Sequence, residues 1–248
     1  MENEFLEGRH ALEEALEANV PIQTVYASEA AINDKRCGKI LARLLSQGVH
    51  VEQASKQLLD EHSAHGAHQG VVAQVAPFQY ATIGELVDRA AGSENALIIA
   101  CDHITDEGNF GAIARTAEVV GACGMLIQNK RSAHVTCAAY KTSAGAIAHL
   151  PIAREANLVM NLNRLKEEGF WIVGASEHAK TTLWDASLSG RIVLVVGSEA
   201  QGLSKLTLKT CDLLVCLPQA GRVESLNVAQ ATTALAYEWM RQCRDTKS

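Results

Sequence analysis

The sequence predicts an α/β protein of two domains, a small N-terminal one and a larger one built on a parallel sheet. Apolar runs of strand length alternate with helix-like runs along the 248 residues, which is the pattern of α/β units. The alternation stops after residue 75 and resumes near residue 94. In the second part, three turns that mix glycines with polar residues each follow an apolar run, as at the ligand-binding edge of an open α/β sheet. We therefore expect domains at 1–75 and 94–248, joined by a linker at 76–93.

The first domain is predicted to be a small α/β unit. A helix over residues 8–18 has apolar side chains on one face. That face consists of Ala11, Leu12, Ala15 and Leu16. Three strands are predicted at 21–26, 49–51 and 70–75, and two further helices at 35–47 and 55–61. The linker then contains Pro77 and a brief amphipathic stretch over 83–91, so we expect it to be partly ordered.

The second domain is predicted to be centred on a strand at 96–101. This run is entirely apolar, as expected of a strand buried on both faces of a parallel sheet. Further buried strands are predicted at 125–127, 170–173, 192–196 and 213–217. Helices are predicted at 110–120, 142–148, 157–168 and 229–241.

Charge and composition narrow the class of protein. The net charge is −6, and it is uneven along the chain. Residues 1–75 carry six Lys or Arg against eleven Asp or Glu, whereas residues 90–248 carry fifteen of each. A general positive field for nucleic acid is thereby excluded, so an RNA partner must meet a local basic surface or be recognised by shape.

The sequence has no predicted membrane helix, signal peptide or paired cysteines, and these features bear on the compartment of the protein. No apolar stretch approaches the roughly 20 residues of a membrane helix, and the acidic first residues lack the basic-then-apolar order of a signal peptide. The seven cysteines are scattered, odd in number and without a CxxC pair, which disfavours a disulfide framework or a zinc site. We expect a cytoplasmic protein.

The first polar turn, residues 102–117, leaves two interpretations open. Asn109 precedes the predicted helix, where Asn is a common N-cap. Arg115 could be a solvated helix charge, but its neighbours are small or apolar in a nearly charge-free helix. A guanidinium in that position could instead hold a phosphate or a ribose oxygen.

The second polar turn, residues 195–204, resembles a phosphate-binding loop in spacing alone. Gly197 and Gly202 have the GxxxxG spacing, but Leu203 stands where that loop requires Lys. No GxGxxG follows a strand, so a dinucleotide fingerprint is absent as well. Glu199 either caps the helix that follows or faces a ligand.

The third polar turn, residues 217–229, is the most specific. It contains Gly221 and opens a helix with Ser225 and Asn227. Ser225 alone would be interpreted as an N-cap, but a Ser-x-Asn pair behind a glycine-containing loop is harder to explain by capping. No nearby His or Asp and no GxSxG elbow indicates a serine nucleophile.

Three histidines, His62, His65 and His68, are spaced by three, as in some metal sites. Glycines interrupt the run and no Cys accompanies it, so a bend before the strand at 70–75 is favoured over a metal site. We expect no metal.

The three polar turns resemble, in order and wording, the three motifs of the SpoU branch of the SPOUT RNA methyltransferases. Residues 141–146 match the stretch that lies between motifs one and two in that family. Residues 8–12 and 68–71 resemble the L30e/L7Ae-like RNA substrate-binding domain that many members carry. The chain is therefore identified as a member of the SpoU (TrmH) family, closest to the RlmB-type enzymes that methylate a guanosine 2′-hydroxyl of 23S ribosomal RNA.

The resemblance implies a deep C-terminal trefoil knot, a homodimer with the active site near its interface, and S-adenosylmethionine as methyl donor. The reactive residues carried over from the motifs are Asn109, Arg115, Glu199, Ser225 and Asn227. The cofactor contacts carried over are Ala175, Gly197, Leu217 and Leu226. Arg115 is then expected to bind the phosphate or ribose beside the reacting hydroxyl, because a guanidinium is too basic to serve as a simple base. The first domain is expected to select the RNA.

Three positions depart from the family pattern. Glu107 stands where Pro is usual in motif one, Ala200 where Gly is common in motif two, and Gln219 where Met is common. None belongs to the reactive set, so the departures bear on the choice of target nucleotide rather than on the activity.

Three alternatives accompany this hypothesis. One is a catalytically silent RNA-binding or ribosome assembly protein on the same fold, which the intact reactive set opposes. Another is the same activity directed at tRNA. The third is a nucleotide-dependent metabolic enzyme on an ordinary doubly wound fold, which the missing GxGxxG and GK[ST] signatures oppose.

Overall fold

The structure, a computed structural model, describes residues 4–63, 66–199, 201–221 and 225–245. The chain divides into two compact units, Met1–Gln79 and Tyr80–Ser248. The functional domain boundaries expected from the sequence, 1–75 and 94–248, stay a prediction. Within the stretch expected to be a linker, a helix is formed at Ile83–Arg89, which belongs to the second unit.

The first unit is a four-stranded sheet with helices. Its strands are β1 (Glu4–Glu7), β2 (Ile22–Ala27), β3 (His50–Gln53) and β4 (Val71–Val75). Its helices are α1 (Arg9–Glu17), α2 (Glu29–Ile32), α3 (Lys35–Ser46) and α4 (Lys56–Glu61). The strand order is β1-β4-β2-β3, with β2 and β3 parallel and the other two pairs antiparallel.

Two apolar cores cover this sheet, because successive residues of a strand point to opposite faces. Val71 of β4 belongs to the core that α1 and α3 close, and the next residue, Val72, packs with Leu59 of α4. Leu12, Ala15 and Leu16 of α1 are buried, which confirms the helix face predicted from the sequence. The short elements β1 and α2 were not predicted from the sequence.

The second unit is a seven-stranded sheet in which every neighbouring pair is parallel. Its strands are β5 (Ala96–Asp102), β6 (Gly124–Gln128), β7 (Ile152–Glu155), β8 (Trp171–Ala175), β9 (Thr181–Thr182), β10 (Arg191–Gly197) and β11 (Leu213–Cys216). The order is β7-β6-β5-β10-β8-β11-β9. The predicted α/β fold with a parallel sheet is confirmed, whereas the trefoil knot stays a prediction.

Helices cover the sheet of the second unit. They are α5 (Ile83–Arg89), α6 (Glu107–Val119), α7 (Cys137–Thr142), a 3-10 turn (Ala146–Ala148), α8 (Leu158–Glu167), α9 (Lys205–Thr210) and α10 (Val228–Asp245). α5 and α8 bury Leu86 and Leu162 against a core that includes Ile98 of β5 and Val193 of β10. All seven residues of β5 are buried, as its apolar sequence requires. In the described parts of the chain, no helix has the length and apolar character needed to cross a membrane.

The helix predicted at 142–148 is wrong. α7 ends at Thr142, and the chain then passes through Ala144 at φ 50° and Gly145 at φ 83° before the 3-10 turn. Residues in the left-handed region cannot continue a right-handed helix. The run of small residues that looked helical therefore forms a tight reversal.

Candidate active site

A cavity of about 590 Å³ lies at the carboxyl ends of three neighbouring strands, β10, β8 and β11. Loops that follow these strands form its walls together with the first turns of α10. Seven of the nine predicted site residues line it: Ala175, Gly197, Glu199, Leu217, Ser225, Leu226 and Asn227. The second and third polar turns thus converge on one pocket, as strand ends at one edge of a parallel sheet should.

Gly197, the last residue of β10, brings the pocket loop back over the strand. Gly202 N donates to the carbonyl of Ser198 at 2.8 Å, which closes the loop onto itself. A Cβ at Gly197 would collide with the backbone of Gly202 and Leu203. Glycine is therefore required at this position by close approach of the backbone rather than by its φ angle.

Three polar side chains from distant parts of the sequence form a hydrogen-bonded ring, called here the amide–carboxylate ring: Asn109, Glu199 and Asn227. Asn109 Nδ2 donates to Glu199 Oε1 at 3.0 Å, and Asn227 Nδ2 donates to the same oxygen at 2.7 Å. Asn227 Nδ2 also donates to Asn109 Oδ1 at 2.8 Å. The ring joins the starts of α6 and α10 to the loop after β10.

The ring is fixed by the helix that follows it. Asn227 Oδ1 accepts from the backbone N–H of Ala229 at 2.9 Å and of Gln230 at 3.4 Å, so Asn227 caps α10. With its oxygen held by the helix, its Nδ2 must face Asn109 and Glu199. One side chain therefore both starts the last helix and orients the ring.

The capping interpretations drawn from the sequence are wrong in three places. The cap of α6 is Asp106, whose carboxylate accepts from Asn109 N at 2.7 Å, so Asn109 lies inside the first turn. Ser204, not Glu199, caps α9. The cap of α10 is Asn227 rather than Ser225. Each displaced residue is thereby left with a side chain available to the site.

Two of the nine predicted residues do not line the cavity. Asn109 reaches it through its bonds to Glu199 and Asn227, whereas no hydrogen bond joins the cavity residues that the structure describes to Arg115. It is exposed on α6, six residues after Asn109, and it does not line the pocket. Six residues advance a helix by about 9 Å and turn it through more than one and a half turns, so the two side chains leave different faces. The neighbouring Thr116 bonds Thr233 of α10 at 2.8 Å, which places Arg115 beside the packed pair α6 and α10.

A buried carboxylate, Asp102, was missed from the sequence. It is the last residue of β5 and only 1% exposed. Its Oδ2 accepts from Ser204 N at 2.7 Å, and its Oδ1 lies 2.6 Å from His103 Nδ1. Asp102 thus ties the end of the pocket loop to the turn that precedes α6. A charged residue closing an otherwise apolar strand was the available signal.

Two cysteines of the second unit, Cys101 and Cys211, have strongly raised thiol pKa values. Burial, together with the charge of Asp102, raises the pKa of the Cys101 thiol to about 12. Burial likewise raises the pKa of Cys211 to about 12, with Asp212 adding to the effect and Lys166 opposing it. Both thiols are protonated at neutral pH and cannot act as nucleophiles.

Glu107, one of the departures from the family pattern, has a structural partner. Its Oε2 accepts from the hydroxyl of Thr136 at 2.9 Å, and Thr136 is the N-cap of α7. A carboxylate in the first turn of α6 is also favoured by the helix dipole. Gln219 lines the cavity, and Ala200 lies outside the described residues.

The histidine run has structural roles where it is described. His62 stacks on Phe5 with ring centroids 4.4 Å apart, and His68 bonds Asp60 at 3.0 Å. His65 lies outside the described residues. Among the side chains that the structure describes, no three His, Cys, Asp or Glu are grouped as metal ligands.

Comparison with known proteins gives the family of both units. Residues 96–237 match the model of the SpoU rRNA methylase family. The chain belongs to the SpoU rRNA methylase family. Residues 5–81 of this SpoU methylase match a second model, described as RNA 2′-O ribose methyltransferase substrate binding. The predictions of the family and of an RNA methyltransferase are thereby confirmed, and the metabolic-enzyme alternative is excluded.

Individual relatives agree with this membership. The SpoU methylase is 39% identical over 243 residues to an uncharacterized tRNA/rRNA methyltransferase of Mycobacterium avium, a match that covers 98% of this chain and 79% of that protein. A protein of the same description from Synechocystis is also 39% identical and is 62% covered. Among solved structures, the SpoU methyltransferase AviRb of Streptomyces viridochromogenes, in complex with AdoMet, has a TM-score of 0.69 at 29% identity, covering 97% of this chain and 90% of that one.

Proposed function

We propose that this protein transfers a methyl group from S-adenosylmethionine to a ribose 2′-hydroxyl of RNA, with a guanosine of 23S ribosomal RNA as the target. The observation that carries this proposal is the amide–carboxylate ring of Asn109, Glu199 and Asn227 beside a cavity formed by the other two motif loops. The protein is proposed to act in the cytoplasm as a homodimer.

The cavity fits S-adenosylmethionine in size and lining. Its volume of about 590 Å³ is within the range usual for small-molecule sites. Leu217 and Leu226 supply apolar wall, while the glycine at 197 lets backbone groups come close to a ligand. When bound there, the cofactor supplies a methyl group on a sulfonium, which a nucleophile can attack in line. Ala175 completes the proposed contact set.

The ring and Ser225 are proposed to orient the ribose hydroxyl. Both hydrogens of Asn227 Nδ2 are used within the ring, but Asn109 Nδ2 uses only one there. Within the described part of the chain, no hydrogen-bond donor contacts Glu199 Oε2 or the Ser225 hydroxyl. These groups can accept the hydroxyl hydrogen and donate to the ribose oxygens. Holding the oxygen in line with the methyl group accounts for much of the rate.

Arg115 is proposed to bind the phosphate next to the reacting ribose. A guanidinium is too basic a group to accept the hydroxyl proton, so Arg115 is proposed to favour loss of that proton by its charge. Its exposed position, outside the cavity of its own chain, is compatible with the proposed homodimer, in which the site is completed near the interface.

Arg115→Ala should lose at least about a hundredfold in the single-turnover methylation rate, because a preorganised charge is removed from the developing alkoxide. Cofactor affinity should stay unchanged, since Arg115 does not line the cavity. Arg115→Lys is the matched control, which keeps the charge and should retain part of the rate. A wild-type single-turnover rate in Arg115→Ala would remove this residue from the chemistry.

The first unit is proposed to select the RNA. Deletion of residues 1–79, which ends at the boundary between the two compact units, should weaken RNA binding at least tenfold and leave cofactor affinity unchanged. Filter binding of ribosomal RNA and calorimetry of the cofactor measure the two effects separately. Equal RNA affinity of the full and shortened chains would contradict this role.

The target is tested by mapping 2′-O-methyl groups in cellular RNA with and without the gene. Loss of one modified guanosine in 23S ribosomal RNA, restored by the wild-type gene but not by the Arg115→Ala gene, is the expected result. A site lost from tRNA instead would correct the target, and an unchanged map would place the chain among RNA-binding relatives without activity.

A further inference from the structure

A protein of net charge −6 must hold an RNA backbone by a local cluster of cations, and one such cluster lies beside the amide–carboxylate ring. It is carried by the loop of residues 129–136, between β6 and α7. Lys130 and Arg131 are exposed on this loop. Because β5 separates β6 from β10 in the sheet, the loop lies on the other side of the ring from the cofactor cavity.

The loop is attached directly to the turn that presents Asn109. Ala133 N donates to the carbonyl of Ile104 at 2.7 Å, and the hydroxyl of Thr136 donates to Glu107 at 2.9 Å. Val135 N donates to the Tyr80 hydroxyl at 3.1 Å. These bonds hold the second half of the loop, and Asn129 N donates to the carbonyl of Glu155 at 2.9 Å at its first residue. The backbone that carries Lys130 and Arg131 is therefore anchored on both sides.

The next strand adds a third cation. Arg154 of β7 is exposed, and its guanidinium carbon lies 5.1 Å from the centre of the Tyr80 ring. Stacking on an aromatic face fixes the plane of the guanidinium while leaving its N–H groups for an anion. Tyr80 therefore links Arg154 to the loop through its ring and its hydroxyl.

His134 of the same loop is half-buried and close enough to Arg154 and Glu107 for their charges to act on it. Burial lowers the pKa of His134, and the charge of Arg154 lowers it further, while Glu107 opposes the effect. Its Nδ1 is buried and has no hydrogen-bond partner among the described residues. A neutral imidazole can bond a ribose hydroxyl or a phosphate oxygen without repelling Arg154.

Three of the carboxylates near the loop are hydrogen-bonded to other residues, while Glu155 follows Arg154 at the end of β7 and lies opposite Gln128, just before the loop. Glu107 bonds Thr136, Asp106 caps α6, and Asp102 is buried against Ser204 and His103. Within the described residues, no ion pair is formed by Lys130, Arg131 or Arg154. Elsewhere a cation with a carboxylate in reach does pair, as Lys166 does with Asp212 at 2.6 Å.

We propose that loop 129–136 and Arg154 form a phosphate-binding face for the RNA strand that carries the reacting ribose. The strand runs from the ring across the carboxyl ends of β5, β6 and β7, while the methyl donor occupies the opposite side. This proposal deepens the proposed function and rests on it. On this proposal, an acidic chain binds RNA through a local cluster of cations rather than through a general positive field.

The test compares two charge reversals in the full-length protein. The first is Lys130→Glu with Arg131→Glu. The control is Arg164→Glu with Lys209→Glu, which makes the same change in net charge. Arg164 and Lys209 are exposed in the last turns of α8 and α9, which lead into the amino ends of β8 and β11, at the opposite edge of the sheet. Circular dichroism establishes that both variants are folded.

Binding of a fluorescently labelled RNA hairpin is measured over a series of salt concentrations, and cofactor binding is measured by calorimetry. Lys130→Glu with Arg131→Glu should weaken RNA binding at least tenfold relative to the control at low salt. The plot of log affinity against log salt should become less steep, its slope falling in magnitude by about 1.4 to 1.8, as expected when two phosphate contacts are lost. Cofactor affinity should stay within twofold of wild type in both variants.

Equal RNA affinities in the two double variants, or an unchanged salt slope, would overturn the proposed face. The face and the reaction can fail separately. If the first variant loses RNA binding as expected but the wild-type protein transfers no methyl group to any RNA, the face stands and the proposed reaction is refuted.

Discussion

Asn227→Ala is expected to abolish nearly all methyl transfer and to destabilise the fold as well. The side chain donates to Asn109 and Glu199 and also caps α10. Loss of preorganised donors at a reacting centre reduces kcat by about 10²- to 10³-fold. Loss of an N-cap costs about 1 kcal/mol. Single-turnover kinetics and urea denaturation measure the two effects.

Asn227→Ser separates the two roles. Serine is as good an N-cap as asparagine, so the free energy of unfolding should return close to that of wild type. The hydroxyl cannot replace the amide that donates to both Asn109 and Glu199, so the methylation rate should remain low. A wild-type rate in Asn227→Ser would show that the amide–carboxylate ring is dispensable.

Gly197→Ala is expected to disable cofactor binding. The added Cβ would meet the backbone of Gly202 and Leu203, so the loop that forms one wall of the cavity must move away from β10. We expect the dissociation constant for S-adenosylmethionine to rise at least tenfold. Overpacking of this kind typically costs about 1 to 3 kcal/mol of stability as well. Calorimetry and thermal unfolding measure the two changes.

Gly84→Ala is the matched control for that substitution. Gly84 lies in α5, where an added Cβ would have Thr82 Oγ1 at 3.6 Å as its nearest neighbour, an ordinary contact. Replacing a helical glycine by alanine usually stabilises a protein by roughly 0.5 to 1 kcal/mol. Cofactor affinity equal to wild type in Gly197→Ala would contradict the requirement for close backbone approach at this loop.

The pocket could be predicted from the sequence because strand ends are local features. A run of apolar residues marks β10, and the first polar residues beyond it must lie at the sheet edge. The same holds for β11, and the two loops line one cavity. The family motifs then indicated which loop residues were expected to contact the cofactor. Three of these, Gly197, Leu217 and Leu226, line the cavity.

The roles of single polar side chains could not be predicted in the same way. Asn109, Ser225 and Asn227 are all residue types that cap helices, and the sequence does not show where within one turn a helix begins. A shift of two residues decides whether Asn227 or Ser225 is the cap. The partner of each side chain is also distant in the sequence. Asn227 bonds Asn109 although 118 positions separate them along the chain.

The reversal after α7 and the position of Arg115 show a second limit. The alanines favour a helix over residues 142–148, but Ala144 and Gly145 adopt positive φ, because packing against α6 outweighs local preference. A Cβ on Gly111 of α6 would collide with Thr142, so the two segments are in close contact. The sequence does not show these tertiary contacts, so the reversal could not be predicted from it. The face of α6 that carries Arg115 could not be predicted either, because the sequence does not fix the residue at which that helix begins.

The pairing of β5 with β10 has a consequence for how this enzyme could acquire new targets. Asp102 is directly opposite Gly197 in that ladder, so the turn proposed to hold the acceptor and the turn proposed to hold the methyl donor begin one strand spacing apart, about 4.8 Å. Backbone bonds set that separation, and side chains have little influence on it. Changes in outlying loops or in the first unit can therefore alter RNA recognition without moving the starts of these two turns relative to each other.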